Sequence, residues 1–207
     1  MLTIERQIKT ITGVTSDNIL EHIQDATQPI VFKDFASQWP IVLSGKTSDS
    51  AGADYIRSIY SKEPVSACLG DPDTKGRVFY NKEMTGFNYG GGKVDLNIVL
   101  DKLLDHANDS EPPTMYMGST EVNRWFPNFA NQNPSGLESC NPLTSMWIGN
   151  QSKIAAHYDF PHNLAISVIG QRRFTLFPPE QIDNLYVGPM EFAPGGQDIS
   201  LVDFDAP

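Results

Sequence analysis

A histidine and an aspartate two positions apart, His157 and Asp159, are the side chains in this sequence best suited to chemistry. In a β-strand, residues i and i+2 point to the same side, so the pair would present an imidazole and a carboxylate to one cavity. These are two of the three ligands in the facial triad that holds non-haem Fe(II) and leaves positions open for substrate and oxygen. The alternative is a surface or capping pair, which is the commoner use of an isolated His-x-Asp triplet.

The residues after this dyad predict two strands whose faces differ in character. Bulky apolar side chains, Leu164, Ile166 and Val168, alternate with small, partly polar ones, so the apolar face should pack against a helix layer. The next predicted strand begins with Arg172 and Arg173, which alternation directs to opposite sides. An arginine inside the cavity would bind a carboxylate in two-point contact. A metal dyad with such an arginine suits a 2-oxo acid that chelates the metal and is anchored at its far carboxylate.

The remaining pattern predicts helices mainly in the first half of the chain and strands in the second. Apolar spacing favours helices at 15–26, 51–60 and 95–107, and the last of these should pack on a sheet. Strands are predicted at 29–33, 65–69, 77–80, 114–117, 144–148, 154–158, 163–169 and 172–177. We interpret Gly90-Gly91-Gly92 as a turn or mobile lid, because it lacks the pattern of a phosphate-binding loop.

Composition and charge limit the classes of function. The chain has 207 residues, with 25 acidic and 15 basic side chains and a formal net charge of -10. This charge disfavours a nucleic-acid partner and suits a basic peptide or protein. The two cysteines form no C-x-x-C pair, residues 1–15 lack a signal-peptide core, and no run approaches the ~18 apolar residues of a membrane span. We therefore expect a cytoplasmic protein without a membrane partner.

A set of short motifs, densest between residues 143 and 207, points to a known family. They are Pro29-Ile30-Val31, Trp39-Pro40, Trp147-Ile148-Gly149, His157-Tyr158-Asp159, Asn163, Gly170, Arg172-Arg173, Leu176 to Gln181, Leu185-Tyr186 and Ser200 to Pro207. Together they resemble the cupin-like, JmjC-related Fe(II)/2-oxoglutarate oxygenases, and among these the asparaginyl hydroxylases in particular. The resemblance is looser before residue 143.

The resemblance implies a mainly β fold, a double-stranded β-helix (jelly roll) beneath an N-terminal α/β cover. Residues 1–111 would form the cover, and residues 112–207 the first part of the β-helix. It also implies Fe(II) and 2-oxoglutarate, with hydroxylation of a protein or peptide side chain as the reaction.

Site residues follow from the same resemblance, position by position. His157 and Asp159 match two iron ligands, and Arg172 matches the cation that anchors the cosubstrate. Asn163 matches a polar residue lining the cosubstrate pocket, and Tyr116 matches a tyrosine that helps to bind 2-oxoglutarate.

Two departures from the family pattern affect these expectations. Arg172 stands where relatives usually carry lysine, and the distal histidine ligand of the family belongs to a strand beyond Pro207. His162 is a weak candidate to replace it. We therefore expect a chain that is incomplete at its C-terminus, binds iron weakly and shows little or no turnover, whereas the full-length protein would be active and able to form a homodimer.

Three functions stay open at this point. The first is a 2-oxoglutarate-dependent hydroxylase acting on a protein side chain. The second is a JmjC-type demethylase, which hydroxylates an N-methyl group by the same chemistry. The third is a non-catalytic cupin-like fragment or binding module that lacks the third iron ligand.

Overall fold

A computed structural model describes residues 4–189 and 192–204 of the chain, and the end of the last motif, Asp205 to Pro207, lies outside these ranges. Within them the strands are β1 (Lys9–Ile11), β2 (Ile30–Phe32), β3 (Val65–Gly70), β4 (Arg77–Val78), β5 (Tyr89–Val94), β6 (Thr114–Glu121), β7 (Ser145–Gly149) and β8 (Lys153–Ile154). The α-helices are α1 (Ile19–Ile23), α2 (Pro40–Thr47), α3 (Asp49–Ile59), α4 (Leu96–Asp105), α5 (Val122–Trp125) and α6 (Phe129–Gln132). Three 3-10 turns lie at Pro72–Thr74, Glu138–Cys140 and Pro179–Leu185.

The main sheet has four antiparallel strands in the order β5-β3-β6-β7. Two small parallel pairs, β1 with β2 and β4 with β8, lie outside it. Strands are confirmed at the predicted positions 29–33, 65–69, 77–80, 114–117 and 144–148, and helices at 15–26, 51–60 and 95–107. The largest changes of boundary are the shortening of the first helix to Ile19–Ile23 and the extension of the 114–117 strand to Glu121. β3 pairs with β6, which lies beyond residue 112, so the main sheet contains strands from both sides of the predicted boundary between 1–111 and 112–207. That boundary stays a prediction.

Helices cover one face of the main sheet and form the core with it. Local capping fixes where they begin: the side chain of Ser48 accepts a hydrogen bond from the Ala51 amide at the start of α3, and Asp95 accepts one from Asn97 at the start of α4. The core contains Ile41, Val42, Ile56, Leu96, Val99 and Leu100 from the helices and Val65, Met115, Met117 and Met146 from the strands. The predicted packing of the 95–107 helix on a sheet is therefore confirmed.

The interpretation of the glycine run as a turn or lid was wrong. Gly90, Gly91 and Gly92 lie within β5, each opposite a residue of β3. An added Cβ on Gly91 would lie 3.4 Å from the carbonyl oxygen of Ala67. Glycine has a low strand preference because it has no side chain to pack, but its backbone can still pair. Pairing with the central strand β3 therefore keeps these glycines in a strand.

The strands predicted at 154–158, 163–169 and 172–177 were also wrong, apart from Ile154 at the end of β8. A strand needs a neighbour with which it can form a ladder of backbone hydrogen bonds, and among the described residues no strand forms one with 155–178. The side-chain alternation nevertheless persists. Leu164, Ile166 and Val168 are partly buried, while the residues between them are exposed.

The apolar side of this segment packs on the helix layer, as the alternation predicted. Ile166, Val168 and Ile169 lie against the core. The side chain of Ile169 fits into a notch formed by Gly45 in α2 and Gly52 in α3. A Cβ added to either glycine would lie 2.8 Å from the Ile169 side chain. These contacts place the segment between the dyad and Arg172 against α2 and α3.

The mixed α/β architecture with its antiparallel sheet fits the β-rich fold class expected from the sequence, and the jelly roll itself stays a prediction. Among the described residues, no helix combines the length and apolar character that crossing a bilayer requires.

Candidate functional site

The face of the main sheet opposite the helices carries a row of four residues in cross-strand register. Gly91 pairs with Cys68, Cys68 with Tyr116, and Tyr116 with Gly149. Their neighbours in β3, β6 and β7 pack in the core, and side chains alternate along a strand, so this row points away from the helices. The residues at both ends of the row are glycines, so the side chains of this row are those of Cys68 and Tyr116.

Tyr116 and Arg172 meet above this face. Burial raises the pKa of Tyr116, and the positive charge of the nearby Arg172 guanidinium opposes that rise. The guanidinium also lies over the ring of Phe174, 5.0 Å from its centroid. Arg172 is exposed at the open face of the sheet rather than buried in a closed cavity, which corrects the expectation of an enclosed arginine.

Gly149 makes room for the Tyr116 ring. A Cβ at this position would lie 2.9 Å from Cδ2 of Tyr116 and 2.8 Å from the carbonyl oxygen of Met115. The glycine of the Trp147-Ile148-Gly149 motif is therefore required by the close approach of β6 and its tyrosine.

The groups next to Tyr116 are neutral at pH 7. Burial raises the pKa of the Cys68 thiol, and burial together with Cys68 and Tyr80 raises the pKa of Tyr89 to about 12. Cys68 and Tyr89 therefore add no negative charge to the sheet face that carries Tyr116. Two-point recognition by a guanidinium and a phenol is chemistry that suits a carboxylate.

His157 is exposed, and its ring is fixed by the backbone. Nδ1 lies 2.7 Å from the carbonyl oxygen of Ala155. A carbonyl only accepts hydrogen bonds, so Nδ1 is the donor; in the neutral ring Nε2 then keeps its lone pair. This is the arrangement that metal-binding histidines adopt, because the bond sets both the tautomer and the ring orientation.

Asp159 is held by two amides, one at each carboxylate oxygen. Nδ2 of Asn163 donates to Oδ2 and Nε2 of Gln197 donates to Oδ1, both at 3.3 Å. Each carboxylate oxygen retains a further lone pair. Neutral amide donors orient the carboxylate and leave its charge available to a cation.

The dyad lies in a loop rather than a strand, so a sheet ladder does not hold it. Its backbone is tied to a later part of the chain, because the Ser200 amide donates to the carbonyl oxygen of Ala156, 2.8 Å away. Ser200 is buried, and its hydroxyl donates to the Leu185 carbonyl oxygen at 2.5 Å. These hydrogen bonds fix the position of Ala156, the residue before His157.

Residues 16–207 match the family model described as the cupin-like domain. The chain belongs to the cupin-like domain family. A search of the curated proteins finds no match.

The structure of this cupin-like domain groups the residues predicted from the sequence into two sets. Tyr116 and Arg172 meet on the open face of the sheet, and Asn163 contacts Asp159 beside His157. Asn163 therefore holds a predicted metal ligand, in addition to the pocket-lining role expected from the resemblance. Gln197 was not predicted, because it is far from the dyad in sequence and belongs to no motif.

In this cupin-like domain, His157 and Asp159 are suitable ligands for a divalent metal, and they supply two of its coordination positions. An imidazole whose Nδ1 is held by a carbonyl oxygen and a carboxylate oriented by amides are ligands that Fe(II) accepts. Among residues 4–189 and 192–204, no group of three His, Cys, Asp or Glu side chains surrounds a common point. His157 and Asp159 would therefore share the ion with water or with a chelating cosubstrate.

Proposed function

We propose that this cupin-like chain carries the site of an Fe(II)- and 2-oxoglutarate-dependent oxygenase that hydroxylates a side chain of a protein or peptide. The proposal rests on the proximity of Arg172 to Tyr116 at the open face of the sheet. Arg172 follows a segment in which hydrogen bonds orient both His157 and Asp159.

Arg172 and Tyr116 bind the distal carboxylate of 2-oxoglutarate in this proposal. The guanidinium supplies charge and a fork of donors, and the phenol adds a further donor. Because Tyr116 keeps its proton at pH 7, it donates to the carboxylate instead of repelling it. The neutral Cys68 and Tyr89 beside them favour the bound anion for the same reason.

His157 and Asp159 hold the metal through Nε2 and a carboxylate oxygen. When bound, Fe(II) supplies the redox chemistry by which 2-oxoglutarate, oxygen and a C–H bond give succinate, CO2 and a hydroxylated product. The contribution of the chain is to fix the two ligands before the ion arrives. Ala155 sets the imidazole tautomer, and Asn163 and Gln197 restrict rotation of the carboxylate.

A protein or peptide substrate suits the surface around the dyad. Tyr158 and Phe160 flank Asp159, are 64% and 93% exposed, and pack edge to face with their ring centroids 5.7 Å apart. Exposed aromatic side chains next to a reactive centre favour contact with another chain. The net charge of -10 favours a basic substrate. An asparaginyl side chain is the specific target that the sequence resemblance suggests.

Succinate formation tests the proposal. The chain is incubated with Fe(II), 2-oxoglutarate and oxygen, and succinate is quantified by mass spectrometry. Two protein ligands hold the ion weakly, so the amount of succinate should be small. It should disappear in His157→Ala and persist in His162→Ala, because no group of three ligating side chains among the described residues includes His162. Turnover that survives His157→Ala would remove His157 from the mechanism.

A second function, a cupin-like module that binds a carboxylate or a metal without turnover, is favoured by one observation. The described residues provide two protein ligands instead of the three of a facial triad. The two functions differ in a single measurement: such a module binds Mn(II) and 2-oxoglutarate but forms no succinate.

A further inference from the structure

Gln197 contacts Asp159 from a distant part of the chain. Its Nε2 lies 3.3 Å from Oδ1 of the carboxylate, whereas the other donor, Asn163, is only four residues away in sequence. The contact with Asn163 is local, and a loop forms such contacts readily. The contact with Gln197 requires the tertiary fold.

The backbone on either side of Gln197 is held in place by separate contacts. On one side, the hydroxyl of Tyr80 donates to the Phe192 carbonyl oxygen at 3.0 Å, and that of Tyr89 donates to the Pro194 carbonyl oxygen at 3.4 Å. On the other side, the Ser200 amide donates to the Ala156 carbonyl oxygen. The fold therefore brings Gln197 to Asp159 through anchors that do not involve its own side chain.

Gly195 leaves the space that the Gln197 amide occupies. A Cβ on Gly195 would lie 3.0 Å from Oε1 of Gln197 and 3.6 Å from its Nε2. Gly195 is not among the glycines with a positive φ, so its backbone does not require glycine. The side chain of Gln197 explains why a larger residue would be unfavourable at this position.

We propose that Gln197 is a positioning residue that holds the Asp159 carboxylate in its metal-binding orientation; this inference rests on the proposed function. An unrestrained carboxylate loses rotational freedom when it binds an ion, and a donor that fixes it in advance reduces that loss. Outer hydrogen-bond partners of this kind typically change metal affinity by about 10- to 100-fold.

Titration of the chain with Mn(II) in the presence of 2-oxoglutarate, followed by calorimetry, tests this inference without turnover. Gln197→Leu keeps the bulk of the side chain and removes its donor, so the Kd for Mn(II) should rise about 10-fold or more. Gly195→Ala should cause a smaller rise in the same direction, because it displaces the amide without removing it. Gln28→Leu, at an exposed position before β2, is the matched control and should leave the Kd unchanged.

Two further readouts distinguish positioning from a general structural role. The Tm without metal should be the same for Gln197→Leu and the unaltered chain, while the rise in Tm caused by Mn(II) should shrink in the variant. The visible absorption of bound Co(II), which reports ligand geometry, should also change in Gln197→Leu and stay constant in Gln28→Leu.

The outcomes separate this inference from the proposed function. If Asp159→Ala weakens Mn(II) binding and Gln197→Leu does not, the positioning role is overturned and the metal site stands. If Asp159→Ala has no effect, or the unaltered chain binds no Mn(II), the metal site is overturned and the role of Gln197 falls with it.

Discussion

The guanidinium of Arg172 lies near enough to Tyr116 to lower the pKa of its phenol, although Tyr116 belongs to the central sheet and Arg172 to a segment that forms no strand. Neighbouring contacts hold each partner. The ring of Tyr116 lies beside Gly149, and Arg172 packs over Phe174. A cation and a phenol held in this way form the carboxylate-binding part of the proposed site.

Removal of the Arg172 side chain should weaken binding of 2-oxoglutarate. A hydrogen bond to a charged group contributes about 1.5–3 kcal/mol, so Arg172→Ala should raise the Kd about 10- to 100-fold. Arg172→Lys should give a smaller loss, because it keeps the charge and removes the fork. Calorimetric titration of 2-oxoglutarate in the presence of Mn(II) measures both.

Arg173→Ala is the matched control for this series. Arg173 is the adjacent arginine and is exposed, and the charge that lowers the pKa of Tyr116 is that of Arg172. Its removal changes the net charge by the same amount. Equal losses of affinity in Arg172→Ala and Arg173→Ala would show that overall charge, and not the contact with Tyr116, governs binding.

The ionisation of Tyr116 should report its contact with Arg172 directly. Burial raises its pKa above the ordinary value of 10.0, and the guanidinium opposes that rise by favouring the phenolate. Arg172→Ala should therefore raise the pKa of Tyr116 further. The difference in absorbance at 295 nm between each protein and its Tyr116→Phe variant, followed through alkaline pH, isolates this one tyrosine. A pKa that stays constant or falls in Arg172→Ala would contradict the contact.

The notch that receives Ile169 predicts an unusual response to alanine in a helix. Gly→Ala in a helix ordinarily stabilises by about 1 kcal/mol, whereas inserting a methyl group into a packed site costs about 1–3 kcal/mol. Gly52→Ala should therefore lower the free energy of unfolding, because its Cβ would lie 2.8 Å from Cδ1 of Ile169. Urea denaturation measures the change.

Ile169→Val provides the control for this substitution, since it removes Cδ1, the atom nearest to the added Cβ. In the Ile169→Val background, Gly52→Ala should become neutral or stabilising. If Gly52→Ala lowers the free energy of unfolding equally in both backgrounds, the clash is instead with the backbone of Gly45, whose Cα lies 3.3 Å from the added Cβ.

The sequence predicts those elements whose residues pair or pack with near neighbours. The apolar stripe of α4, the strands β3 and β7 and the inward side of Leu164, Ile166 and Val168 follow from periodicity, because burial of one face imposes that period. Periodicity gives no information on pairing partners. It therefore missed β5 in the glycine run and assigned strands after Ile154 that have no partner among the described residues.

The sequence indicates candidate site residues whose side chains have a specific chemistry. It does not indicate contacts that form only when the chain folds. His157, Asp159, Arg172, Asn163 and Tyr116 were proposed from residue type, spacing and resemblance. The carbonyl of Ala155 and the amide of Gln197 were not, because any residue supplies a backbone carbonyl and a glutamine has no fixed partner. Such supporting contacts depend on the spatial arrangement of segments that are distant in the sequence. Sequence patterns contain no information on that arrangement.

The central claim is that the Tyr116–Arg172 pair and the His157–Asp159 pair serve one site, so the keto acid and the metal should strengthen each other's binding. By thermodynamic linkage, any tightening of one ligand by the other is reciprocal. Calorimetric titration of 2-oxoglutarate into the chain, with and without saturating Mn(II), measures this coupling. We predict that affinity rises at least about 10-fold with Mn(II), a coupling of about 1.4 kcal/mol, and that His157→Ala abolishes the difference. Equal affinity with and without Mn(II) in the unaltered chain would contradict a shared site.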